Sequence, residues 1–344
     1  MTKIELTPRK QAVLRAIVKA YIETGEPIGS KILTGLIENA PSSATLRNEM
    51  SELVSMGLLE QPHTSAGRIP TNSGLKLYVN DLMLKSEIPN ENKLFIDERF
   101  DTVTEMPENI PAKAGEILSD LTGLPVIACL ITPGTTVIKK VELMNISRNT
   151  VMLLVVTNDQ RTRNRIFRLS GEYTPQLLER FWEIVNTKIK GKPLEELSIG
   201  YMQSLVASLG IDSFKLMPLI TAVFETAKQI EKMTVDISGA SRLYNICGDE
   251  ERSKRIISLI ESRDPIISLF ERVGDGVVFG EDTGFSELGT DTLIAARFGN
   301  EKYKGYLALI GPNRLSYERL IPTIEYTAEK LTTVLTAAQK DMED

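Results

Sequence analysis

Along the first 85 residues, apolar side chains recur at spacings of three and four and are broken at short intervals by turn residues. Thr7-Pro8 reads as a helix N-cap followed by a first-turn proline. Val13, Leu14, Ile17, Val18, Tyr21 and Ile22 then form one buried stripe, and Gly25 stops the helix. Ser30 is positioned to cap a second helix, in which Ile32, Leu33, Leu36 and Ile37 repeat the pattern. After Pro41, Ser42 caps a third helix with a narrow stripe of Leu46, Met50, Leu53 and Val54, and Gly57 ends it. Leu58 to Gln61 and Ile69-Pro70 read as short strands around the polar tip Pro62 to Arg68, and Thr71 caps a further helix through Leu75, Tyr78, Val79, Leu82 and Met83. Helix, helix, helix, hairpin, helix is the order of a winged helix-turn-helix, here expected over residues 1–85.

The rest of the chain has a different pattern. Residues 86–110 are acidic and polar, punctuated by Pro89 and Pro107, and read as a linker with a helix near Asn92 to Val103. A helix from Ala112 to Thr122 precedes a buried-type strand at Leu124 to Ile131. Three β-rich runs, Val137 to Leu143, Val151 to Thr157 and Arg165 to Leu169, predict an antiparallel meander. Helices are expected at Thr174 to Ile189, Pro193 to Leu209 and Asp212 to Met233. Strands return at Val235 to Ile237, Gly276 to Gly280, Thr292 to Phe298 and Lys304 to Ile310, with a helix at Gly248 to Ser262. The chain ends in a long helix from Ser316 to about Lys340, which Pro322 should bend or start. The fold class is therefore a multidomain α+β protein, in which one sheet domain (residues 111–135 and 235–344) is interrupted by a meander-plus-helices insert at 136–234.

The third helix carries the candidate chemistry. Opposite its apolar stripe lie Ser43, Ala44, Arg47, Asn48 and Ser51, small or hydrogen-bonding groups without the Glu/Lys mixture of an ordinary solvated face. Such a face suits a major groove: small residues allow close approach, Arg reads guanine, and Asn reads adenine or phosphate. The expected DNA-binding set is Ser43, Ala44, Thr45, Arg47 and Asn48 on the bases, with Ser42 capping the helix and touching phosphate. His63, Ser65 and Arg68 would act from the hairpin, and Ser30 and Lys31 from the start of the preceding helix. In the insert, Phe181, Trp182 and Val185 make an unusually apolar face that reads either as core or as a subunit interface.

Composition narrows the alternatives. The 344 residues are 42% hydrophobic and 25% charged, as in an ordinary soluble globular protein. No apolar run approaches the roughly 20 residues of a bilayer span, and no signal-peptide core precedes the first helix, so a cytoplasmic protein without membrane contact is expected. A single histidine, two distant cysteines (Cys129 and Cys247) and no phosphate-loop or nucleophile-elbow motif leave no catalytic set, no metal site and no cofactor to propose. The net charge of -6 is uneven: residues 1–85 hold 10 basic and 8 acidic residues, so the remainder carries all of the acidic excess.

Several stretches resemble one family closely. Leu6-Thr7-Pro8-Arg9, Glu26 to Lys31, Ser42 to Met50, the long run Gly57 to Thr71 and the late segment Gly311 to Arg319 are similar to the heat-inducible transcription repressor HrcA family. This chain departs from that pattern at Ser43, at Asp282 and at Leu315-Ser316. The resemblance implies a GAF-like domain interrupted by a dimerising insert, and a homodimer that binds double-stranded DNA at the CIRCE inverted repeat. It also implies repression of chaperone operons, with a GroEL-type chaperonin keeping the repressor active. The competing reading is a regulator gated by a small molecule held in the GAF-like domain; metabolites that raise the melting temperature would favour it.

Overall fold

The computed structural model describes residues 5–63, 66–103, 106–131, 136–147, 150–169, 174–210, 213–230, 233–262 and 264–343. In chain order the elements begin with α1 (Pro8–Thr24), α2 (Ser30–Leu36), α3 (Ser43–Ser55), β1 (Leu59–Glu60), β2 (Ile69–Pro70) and α4 (Asn72–Leu77). Next come α5 (Asn90–Phe100), α6 (Ile110–Thr122), β3 (Val126–Ile131), β4 (Ile138–Ser147), β5 (Thr150–Thr157) and β6 (Thr162–Arg168). They are followed by α7 (Pro175–Ile184), α8 (Ile199–Ala207), α9 (Ser213–Lys228), β7 (Met233–Ser238), α10 (Arg242–Cys247), α11 (Glu250–Glu261) and α12 (Asp264–Val273). The chain closes with β8 (Gly276–Phe279), α13 (Gly280–Thr283), β9 (Asp291–Gly299), β10 (Lys304–Pro312) and α14 (Tyr317–Glu343). This is a mixed α/β protein whose contacts divide it into two compact units, Met1–Leu130 with Val235–Asp344, and Ile131–Thr234.

In the first unit, the local signals act where the side chains put them. Thr7 accepts from the Lys10 N–H to cap α1, and Gly25 ends α1 in the left-handed region at φ 75°, returning its N–H to Tyr21. Val13, Leu14, Ile17 and Val18 of α1 meet Leu33 of α2, Leu46, Met50 and Leu53 of α3, and Leu58 and Leu59 beside the hairpin. The larger sheet has the order β7-β3-β10-β9-β8, with β9 antiparallel to both β8 and β10. Its strands β9 and β10 are almost wholly buried because both faces are covered. α14 packs across β9, burying Ile324, Ala328, Leu331 and Leu335. Cys129 of β3 is buried, and burial pushes its thiol up to about 12, so it is an inert packing residue.

Residues 86–110, expected as a linker, contain α5, whose Ile96 and Phe100 are buried in the same core as α1 and α14. Tyr326 of α14 donates to Asp97 at 2.9 Å, and Lys330 pairs with the same carboxylate at 3.0 Å. Pro322 lies inside α14 and does not start it. The carbonyl four residues earlier, on Glu318, accepts the Ser86 N–H at 3.1 Å, so the hydrogen bond the proline cannot make is supplied by another segment.

The second unit is a three-stranded antiparallel sheet in the order β4-β5-β6, with helices on one face. The central strand alternates strictly, with Val151, Leu153 and Val155 buried beneath the helices. The helix expected from Pro193 begins later: Ser198 caps α8 by accepting the Tyr201 N–H at 3.1 Å, and Leu194–Glu196 form only a single 3₁₀ turn. Phe181 and Val185 are buried in this unit's own core, and Trp182 is half-buried against Phe181 with ring centroids 5.0 Å apart. Of the three residues considered for an interface, only Trp182 retains surface. A buried Asp159–Arg161 pair, joined by the Thr136 and Thr157 hydroxyls, closes the turn after β5.

Candidate nucleic-acid interface

α3 owes its two-sided character to its neighbours as much as to its own sequence. Ser42 caps it by accepting the Thr45 N–H at 3.2 Å, and the Ser42 and Thr45 hydroxyls also bond each other at 3.0 Å. Leu46, Met50 and Leu53 turn inward. The two acidic residues are drawn toward α1: Glu49 meets Arg9 at 3.6 Å and Lys10 at 3.4 Å, and Lys10 also reaches Glu52 at 2.8 Å. Ala44, Arg47, Asn48 and Ser51 are left exposed. The Arg47 and Asn48 side chains have no polar partner among the described residues, and nothing else competes for their hydrogen-bonding groups.

Beside this face runs a groove of about 470 Å³ bounded by Ser30, Lys31, Arg47, Gln61, Gly67 and Arg68. Three cations line it, and its described lining contains no carboxylate. Arg68 stands at the base of the hairpin rather than at its tip. Its backbone exchanges two 2.9 Å hydrogen bonds with Ile28, tying the hairpin to the loop between α1 and α2. Gly67 permits that approach, since a Cβ there would fall 2.4 Å from the Ile28 carbonyl carbon. The guanidinium of Arg68 reaches only weakly to Ala66 and Gly67 carbonyls, at 3.5 and 3.4 Å, and its buried Nε has no partner among the described residues. A buried donor without a partner is costly, so the Arg68 guanidinium keeps hydrogen-bonding capacity beside the groove.

The remaining candidates are placed as follows. Lys31 is exposed at the start of α2, and His63 is exposed in the hairpin turn, where its carbonyl accepts the Ala66 N–H at 2.9 Å. Ser65 lies outside the described residues. Ser30 does not cap α2; Gly29 takes that position. The Ser30 hydroxyl instead bonds the Ser43 hydroxyl at 2.9 Å, fixing the start of α3 against the start of α2 and half-burying both residues. Sequence reasoning missed Gln61, which lines the groove; it follows β1, and strand alternation from Leu59 would have turned it inward. It also missed Arg9 and Lys10, whose pull on the α3 carboxylates depends on a helix distant in sequence.

The fold and the groove together define a mixed α/β protein with a small helical head whose surface carries a groove lined by three cationic side chains. The family model described as HrcA protein C terminal domain matches residues 108–321, and the chain belongs to the HrcA family. Relatives described as heat-inducible transcription repressor HrcA align nearly end to end. The one from Desulforudis audaxviator is 31% identical over 95% of this chain and 97% of its own, and the one from Carboxydothermus hydrogenoformans is 29% identical over 95% and 97%. A crystal structure described as that of a hypothetical protein shares the fold, with a TM-score of 0.60 at 24% identity, covering 97% of this chain and 100% of that one.

Proposed function

We propose that the protein is a transcription repressor of heat-shock genes that binds an inverted-repeat operator of the CIRCE type as a homodimer. In this reading residues 1–85 are a winged helix-turn-helix, α3 enters the major groove, and the hairpin from β1 to β2 is the wing. The observation that carries it is the acid-free face of Ala44, Arg47, Asn48 and Ser51, bordered by a groove in which Lys31, Arg47 and Arg68 await an anion. Family membership and the relatives' description as heat-inducible repressors support the regulated genes. The sheet domain of β7-β3-β10-β9-β8 is taken as GAF-like and residues 136–234 as the dimerising insert. A two-fold dimer presents two copies of α3 and therefore demands a palindromic site.

Heat enters through stability. A fold with a margin of only several kcal/mol loses active population steeply on warming, and a GroEL-type chaperonin that returns unfolded chains would keep the repressor active. The test is a gel shift of the purified chain on a CIRCE-type inverted-repeat fragment, with and without chaperonin. The expected result is retarded DNA only with both half-sites intact, and more of it after chaperonin treatment. Equal binding to a scrambled duplex overturns the reading.

A further inference from the structure

The head meets the rest of its unit through α4, and the contacts there are polar and directional. Asn72 donates to Glu281 at 2.8 Å, and its amide also meets that of Asn313 at 2.6 Å. Lys76 reaches Glu281 at 2.8 Å and Asp282 at 2.7 Å, with its ammonium 5.6 Å from the centre of the Phe279 ring. Just beyond α4, the buried Tyr78 donates its hydroxyl to Glu318 at 2.5 Å, and Lys19 of α1 lies 3.5 Å from the same carboxylate. Arg314 lays its guanidinium over Gly25, where the end of α1 leaves room for no side chain of its own.

On the head side these residues connect directly to α3. Thr71, the neighbour of Asn72, caps α4 and donates its hydroxyl to the carbonyl of Gly57, the residue that ends α3, at 2.6 Å. The Thr71 N–H goes to Leu58 at 3.2 Å. A short relay therefore runs from Glu281 and Asn313 through Asn72 and Thr71 to the C-terminal end of α3. Apolar surfaces hold two bodies together without fixing their angle, because burial is non-directional. Hydrogen bonds weaken steeply when bent, so several of them on two sides of a junction fix an orientation.

We propose that this clamp locks α3 to the sheet domain, making Asn72, Lys76 and Tyr78 positioning residues that determine which half-site spacing the repressor accepts. The inference rests on the proposed dimeric reading of an inverted repeat. Each base pair added between half-sites turns one of them by about 35° around the duplex. Heads locked to their own sheet domains offer the DNA fewer orientations, and so fewer spacings, than heads released from the clamp.

The experiment measures affinity of the full chain for the inverted repeat with its natural spacer, for spacers changed by about two base pairs either way, and for a single half-site. The wild type should prefer the natural spacer strongly. Lys76→Glu should weaken that site by roughly tenfold, bring the three spacers to within about threefold of each other, and leave half-site binding unchanged. Tyr78→Phe, which keeps the ring buried, should move the same ratio in the same direction. Adding Glu281→Lys and Asp282→Lys to Lys76→Glu should restore the preference, an outcome that a merely structural role for Lys76 does not give. A Lys76→Glu chain with undiminished spacer preference overturns the clamp, as does one that loses half-site and full-site binding alike. A wild type that ignores the inverted repeat altogether overturns the proposed function first and this inference with it.

Discussion

Arg47 combines exposure, a position one turn into α3 and the absence of a polar partner among the described residues. Replacing it with Ala should cost about 1–3 kcal/mol of operator binding and relax preference at one base pair. Competition against operators substituted one base at a time reads this out; uniform weakening would mean a phosphate contact. Asp291 makes a different argument, about pH. It is buried with Arg252 at 2.8 Å, and burial pushes its carboxyl up to about 6 from 3.8, with Arg252 pulling it back. A folded-state value above the unfolded one means that folding favours the protonated form. Its stabilising contribution is complete below the unfolded value and is lost as pH rises through about 6. Asp291→Asn should remove that slope: across about pH 4 to 7 the variant should gain on the wild type by on the order of 1–3 kcal/mol as pH rises, seen as a growing difference in Tm. The groups held low, Asp97, Asp159 and Glu281, act in the opposite sense and in a more acidic window, where each loses its partner's support on protonation.

Among the elements, α4 shows how one cap can do two things. Thr71 accepts the Gly74 N–H at 3.1 Å and donates to Gly57, so it both starts α4 and holds the end of α3. Thr71→Ala should lower stability by about 1 kcal/mol, measured by denaturant unfolding, and Thr71→Ser should recover most of it. Where local rules sufficed, the elements are where the pattern puts them: α1 between Thr7 and Gly25, α3 between Ser42 and Gly57, and the meander of β4, β5 and β6. Where they did not, a competing residue explains the difference. Ser198 outbids Pro193 for the start of α8, and Gly29 displaces Ser30 at α2 because the Ser30 hydroxyl is engaged by Ser43. α12 occupies a stretch to which the sequence pattern assigns no element, although its Ile266, Ile267 and Phe270 are buried at helical spacing.

At the scale of the whole molecule, charge sets the character of DNA binding. The head carries a slight basic excess and the remainder an acidic one, so under the proposed function phosphate contacts should be few and localised around Lys31, Arg47 and Arg68. Lys31→Ala should weaken binding evenly across sequences and reduce the slope of log affinity against log salt by about 1, measured by titrations at several salt concentrations. The carboxylates Glu281, Asp282 and Glu318 meet Lys76 and Lys19 of the head, so some of the head's positive charge is neutralised inside the molecule.

The sequence alone determined the short-range features: caps, glycine stops, the apolar stripes of α1 and α3, and the alternation of β5, all set by side chains within a few residues of one another. It also determined the small, charge-poor face of α3, because helical spacing puts Ala44, Arg47, Asn48 and Ser51 on one side. Only the tertiary structure decided that Glu49 and Glu52 are held back by Arg9 and Lys10, and that Arg68 lines the groove with its Nε buried and unpartnered among the described residues. It alone joined α4 to Glu281 and Asn313, and Tyr78 just beyond it to Glu318, across more than two hundred residues. Charge pairing and orientation depend on distances between elements, and those distances are fixed by packing of the whole core, which no local pattern encodes.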